Sequence, residues 1–148
     1  MNILNKKLGF TLMEMMITVI IISLLTAAAV PYYRDYIERQ KVAIAATDLR
    51  MIADSVERYK TLHNEAVPSD LTLLDADIDR SKLSNNNQRY NNGDFTFWID
   101  VENRDVVAAR NNGQYSLYYG FDEDLVNYGL NCMDDNPNSN FCSDKLNL

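Results

Sequence analysis

Between Phe10 and Val30 the chain has a single charged side chain, Glu14. A carboxylate at mid-depth in a membrane costs roughly 2.5–3.5 kcal/mol unless something neutralises it. Charge pairing is therefore the chemistry to look for around Glu14. Just upstream lie Lys6, Lys7, Leu8 and Gly9, then Phe10. Cutting the chain between Gly9 and Phe10 would turn a neutral amide into a positive amine, four residues from Glu14. Within one helix, or between staggered neighbours, that amine and Glu14 could neutralise each other, and in a low-dielectric bundle the attraction far exceeds its value in water. A secretory signal is cut after its apolar stretch. This processing point precedes the stretch, so the cut would remove the lysines and keep the hydrophobic segment.

Other reactive residue types are sparse. In a domain carried outside the cytoplasm, Cys132 and Cys142 read most simply as a disulfide. Two free buried thiols are the alternative. His63 is the only histidine, and no zinc-type cysteine or histidine spacing occurs. With no nucleophile paired to it, His63 reads as a surface residue. GxSxG, HExxH, P-loop and dinucleotide patterns are absent, so no enzymatic activity is expected. Oxygen-rich stretches at Asp122–Asp124 and Asp134–Asn140 could hold Ca²⁺, a hard cation. Their spacing is not diagnostic, and the expectation is a solvated acidic loop with no cofactor. Tyr32, Tyr33 and Tyr36 fit aromatic anchoring at a bilayer interface better than electron hopping.

The elements that must position these residues fall into two halves. At 148 residues the chain allows one domain with a modest core. A net charge of −7, from 14 basic and 21 acidic residues, argues against nucleic acid as a default partner. Residues 10–30, at ~1.5 Å per residue, would form a helix of about 31 Å, enough to cross a bilayer's hydrocarbon. Lys6 and Lys7 place the leading end in the cytoplasm and the remainder outside. Pro31 cannot donate a helical hydrogen bond, which predicts a kink or break there. Helical periodicity then resumes, with Ile37, Ile44, Ala45, Leu49, Ile52, Val56, Tyr59 and Leu62 on one face. Arg39, Lys41, Arg50, Asp54 and Arg58 lie on or near the other. Both halves together would run about 53 residues, near 80 Å, ending at His63-Asn64.

A loop with Pro68, a short helical turn at Asp70–Leu74 and an Asn-rich stretch, Ser84–Gly93, should follow. Asp94–Asp100 alternates, with Phe95, Phe97 and Ile99 on one side and Thr96 and Trp98 on the other. Arg104–Arg110 gives a second strand after a turn at Glu102-Asn103. Asn111-Asn112-Gly113 is a hairpin signal leading to a third strand, Gln114–Phe121. The expected fold is α+β, a long N-terminal helix on an antiparallel sheet of three strands, or four if Leu125–Leu130 pairs. The polar Cys132–Cys142 segment buries little, so a disulfide, worth about 3 kcal/mol for so short a loop, would be its main constraint.

Lys6-Lys7-Leu8-Gly9-Phe10-Thr11-Leu12-Met13-Glu14, with Pro31, resembles the class III signal of type IV pilins and type II secretion pseudopilins. The resemblance covers roughly the first 31 residues. It implies that a prepilin peptidase cuts after Gly9 and N-methylates Phe10. It further implies that Glu14 attracts a neighbour's amine and sets the register, and that Pro31 kinks the helix. The second proline of some members is missing, Met51 standing in its place, so the resemblance supplies no second kink. The cysteine pair looks like the disulfide-bounded C-terminal loop of many pilins, and major pseudopilins bind calcium in their C-terminal region.

The implied organisation is a leader at 1–9, a transmembrane and polymerisation helix at 10–31, and a pilin head at 32–148 with its loop at 132–142. The implied function is a structural subunit of a type IV pilus serving adhesion, twitching motility or DNA uptake. Implied partners are copies of itself, the peptidase, an inner-membrane assembly platform and, before assembly, membrane lipids. The precursor would sit in the inner membrane and the product in an extracellular pilus. A type II secretion pseudopilin or a minor pilin is the nearest alternative, and a receptor merely anchored by its helix is a third.

Overall fold

Residue periodicity and one stop signal account for the first element. Helix α1 (Leu12–Leu62) contains Pro31 and remains helical on both sides of it. It ends where His63 and Glu65 both donate backbone N–H to the Lys60 carbonyl, while Asn64 and Glu65 turn to φ 54° and 64°. Asparagine tolerates that left-handed geometry better than most residues. The computed structural model describes residues 10–121, 129–135 and 141–142. The chain divides into two compact units, Met1–Ile37 and Glu38–Leu148.

In the second unit, α1 buries Val42, Ala45, Leu49, Ile52 and Val56. Steps of three and four residues put them on one stripe. Ile44 and Leu62 were expected on that stripe, but Ile44 is 60% exposed and Leu62 is exposed too. Ile44 stands about 100° around the helix from Ala45, off the face that packing selects. The stripe meets Phe95, Phe97, Val106, Ala108, Tyr115 and Leu117 in one core.

Those residues come from the inner face of an antiparallel sheet whose strands follow chain order: β1 (Leu83–Ser84), β2 (Arg89–Asn91), β3 (Phe95–Asp100), β4 (Asp105–Arg110), β5 (Tyr115–Gly120) and β6 (Gly129–Asp134). The α+β expectation holds. The strand count does not, because six strands replace the three or four expected. β1 and β2 hide in the Asn-rich stretch read as loop, since two and three residues are too short to show alternation. Their turn uses Asn85, Asn86 and Asn87, all at positive φ. The fourth strand exists but lies further along than Leu125–Leu130, and residues 125–128 fall outside the described residues.

The central strands follow their patterns. β3 buries Phe95, Phe97 and Ile99 and half-buries Thr96 and Trp98. The β4–β5 hairpin closes with Gly113 at φ 70°, its N–H donating to the Arg110 carbonyl at 2.8 Å. Between β3 and β4, the Asp100 carboxylate accepts from the backbone N–H groups of Glu102 and Asn103. Arg104 at φ 58° belongs to that turn and not to β4 as expected. The short turn expected at Asp70–Leu74 is a 3₁₀ turn, Leu71–Leu73, capped by Asp70.

Candidate assembly site

Among the described residues of unit Met1–Ile37, the large apolar side chains point outward. Phe10 is 81% exposed, and Leu12, Met13, Ile17, Val19, Ile22 and Leu25 are exposed as well. The helix is long and apolar enough to cross a membrane. So large a continuous apolar surface requires lipid or other protein around it. Its hydroxyls are already satisfied by their own helix. Thr18 donates to the Met15 carbonyl, Ser23 to Val19 and Thr26 to Ile22. Internal satisfaction of this kind is what a low-dielectric environment demands.

Glu14 is held differently. Thr11 precedes the first helical residue, and its Oγ1 accepts from the Glu14 N–H at 3.2 Å. In return the Thr11 N–H donates to Glu14 Oε2 at 2.8 Å. This reciprocal pair is a capping box, with the carboxylate at the positive end of the helix dipole. Its sequence signal is the Thr-x-x-Glu spacing of Thr11 and Glu14, which gives the carboxylate a second role beside charge pairing. Phe10 comes immediately before the cap, so it and Glu14 occupy the same helix end. Gly9 lies outside the described residues. Pro31 lies inside α1, where it has no N–H to offer the Ala27 carbonyl.

Cys132 and Cys142 form a disulfide, with 5.7 Å between their Cα atoms. The bond is not the only restraint at the base of that loop. The Asp134 carboxylate accepts from the backbone N–H groups of Phe141 and Cys142, and the Phe141 ring stacks on Tyr115 with centroids 4.2 Å apart. Residues 136–140 lie outside the described residues. Replacing both cysteines by serine should lower stability by about 3 kcal/mol on the chain-entropy view, read from the urea midpoint under non-reducing conditions. A loss under 1 kcal/mol would show that Asp134 and Phe141 suffice.

A second structure missed in the sequence fixes the start of the helix in the head. Arg110 on β4 grips Glu38 on α1 through Nε to Oε1 (2.6 Å) and Nη2 to Oε2 (3.2 Å). Its Nη1 donates to the carbonyl and carboxylate of Asp94. Lys41 reaches the same Asp94 at 2.7 Å, and the Tyr115 hydroxyl donates to Glu38 Oε1 at 2.9 Å. Burial opposes ionisation of Glu38. Hydrogen bonds from Arg110 and Tyr115 outweigh it, and the carboxyl titrates below its ordinary value. The Tyr115 hydroxyl is pushed up, by burial first and then by its bond to Glu38. No periodicity announces such contacts, since they join residues 72 and 77 positions apart.

His63 is exposed, as expected, and stacks on Tyr59 with ring centroids 3.9 Å apart. Among the described residues no group of three or more His, Cys, Asp or Glu could hold a metal ion. Asp122–Asp124 and residues 136–140, weighed above for calcium, lie outside them.

Residues 4–30 match the family model of the prokaryotic N-terminal methylation motif. Over 72 residues the chain is 38% identical to type II secretion system core protein G of Pseudomonas aeruginosa, a match covering 49% of this chain and 50% of that one. It is 37% identical over 84 residues to a fimbrial protein of the same species, covering 54% of each. Type II secretion system core protein G of Escherichia coli is 25% identical over 142 residues, 88% of this chain and 97% of that protein. The chain spans about half the length of the first two relatives. No solved structure matches it. In its N-terminal motif and in the relatives it matches, the chain is similar to fimbrial proteins and to type II secretion core protein G.

Proposed function

We propose that this chain is a structural subunit of a bacterial type IV pilus, made as a membrane-anchored precursor and polymerised through α1. The observation that carries the reading is the exposed apolar surface of residues 10–30 with Glu14 as its one charge. Prepilin peptidase trims the chain after Gly9 and N-methylates Phe10. The new amine becomes the counter-charge that Glu14 lacks in the precursor, so trimming favours association of neighbouring helices. Lys6 and Lys7 hold the leader on the cytoplasmic side of the inner membrane, and the head lies outside. Copies of the same chain are the main partner, an inner-membrane platform feeds them into the filament, and the finished pilus is extracellular. The role is structural and not enzymatic.

The second reading is a type II secretion pseudopilin, favoured by the similarity to core protein G. The disulfide-closed C-terminal loop weighs towards the pilus. Expressing the gene with and without prepilin peptidase separates the readings, with subunit mass and sheared surface fibres as the measurements. A mass lacking Met1–Gly9 together with fibres is expected. Trimming without surface fibres would favour the pseudopilin, and an untrimmed native chain would defeat both.

A further inference from the structure

The outer face of the sheet, turned away from α1, carries a groove of about 500 Å³. That volume falls within the range of small-molecule sites. Its walls are Trp98 on β3, Val107 on β4, Tyr118 on β5 and Met133 on β6. Trp98 and Tyr118 flank Val107 in register across the three central strands. The polar side is acidic: Asp100, Asp105 and Asp135 line it, and no lining residue is basic.

These three acids are not equivalent. Asp100 is engaged by the β3–β4 turn, accepting from Glu102, Asn103 and the Asn103 side-chain amide. Asp135 accepts from the Ser116 hydroxyl. Asp105 is only 7% exposed, yet its Oδ1 has no hydrogen-bond partner among the described residues. It stands opposite Asp100 on one side and, on the other, Gly120, which has no side chain. Burial, and then the charge of Asp100, push its pKa to about 6. A native fold rarely leaves such a group unmatched without a use for it.

We infer that this groove binds an alkylammonium group, its nitrogen against Asp105 and its methylene stem along Trp98, Tyr118, Val107 and Met133. A hard divalent cation would want six or more oxygen ligands, whereas two of the three carboxylates are already occupied by hydrogen bonds. A guanidinium prefers a carboxylate that offers both oxygens to its fork. One unmatched oxygen beside aromatic and aliphatic walls fits a compact ammonium on an apolar stem, with the indole face adding cation–π attraction. That this indole accepts a cation is already visible, because the Arg89 guanidinium lies 5.1 Å from its ring centre without lining the groove. Lysine side chains and free polyamines share the required chemistry.

Trp98 is the only tryptophan, so its fluorescence reports on this site alone. The full chain, in non-ionic detergent at pH 7.5 and constant ionic strength, should be titrated with N-acetyl-lysine methylamide, spermidine, the neutral analogue N-acetyl-norleucine methylamide, and calcium chloride. Saturable changes with both amines and none with the norleucine compound are expected. Affinity for capped lysine within threefold of that for spermidine assigns a polypeptide side chain, and a tenfold preference for spermidine assigns a free polyamine. Asp105→Asn should weaken amine binding at least tenfold. It should also raise the melting temperature, since a buried charge disappears, which separates lost binding from lost folding. Flat emission with both amines, an equal response to norleucine, a response to calcium alone, or undiminished binding by Asp105→Asn would each overturn the assignment. None of these results bears on filament assembly, because the unassembled subunit is what is measured.

Discussion

Glu14→Gln subunits will be trimmed and methylated normally, yet enter filaments at least tenfold less than the wild type when the two are co-expressed. Glutamine serves in a capping box as glutamate does, so the bonds with Thr11 survive while the negative charge is lost. The trimmed amine of a neighbour then meets a neutral amide in a medium where an unpaired charge costs roughly 2.5–3.5 kcal/mol. Thr11→Ala makes the opposite change. It removes the cap, worth about 1 kcal/mol, and keeps the carboxylate, so its incorporation should fall far less. Mass spectrometry of sheared fibres gives both ratios from one preparation. Should the glutamine variant assemble freely while Thr11→Ala fails, Glu14 would be a helix cap and not a counter-charge.

The second large effect concerns the head. Arg110→Ala should destabilise it by about 3–5 kcal/mol, the usual penalty for breaking a buried ion pair from one side. The Arg110 side chain is 9% exposed and that of Glu38 19%. Without the guanidinium, Glu38 keeps the Tyr115 hydroxyl and the nearby charge of Lys41, and Asp94 keeps Lys41. Arg110→Lys retains the charge without the fork and should recover only part of the loss. The pH dependence has a fixed sign. Glu38 titrates below its ordinary 4.5 in the fold, so its contribution is fully present above that pH and fades as pH falls through the lower folded value. Glu38→Gln should therefore flatten the acid limb of the melting curve. If Arg110→Ala loses under 1 kcal/mol in urea titrations, this network does not anchor the helix.

What the sequence made legible depended on how local each signal was. The apolar helix and its one charge, Glu14, could be read because residue type and spacing alone define them. β3 showed itself through Phe95, Phe97 and Ile99, and the β4–β5 hairpin through Asn111-Asn112-Gly113. Strands β1 and β2 were illegible because neighbouring strands, and not their own short patterns, hold them. The same holds for Glu38 with Arg110, whose meeting depends on the helix lying across the sheet. In the sequence, Asp105 is one of 21 acidic residues with nothing local to distinguish it. Only register shows that it faces Asp100 and Gly120 beneath a groove. Ile44 failed for a subtler reason: several stripes satisfy a period of 3.6, and packing picks one.

β1 is two residues long and lies at the margin of the sheet, preceded by Lys82 and followed by three asparagines in left-handed geometry. On the β6 margin, the crosslink and Asp134 draw residues 141–142 back beside the strand. Among the described residues, then, one sheet margin is a two-residue strand and the other is held beside a crosslink, and short or covered margins work against the edge-to-edge zipping by which β-proteins turn into amyloid.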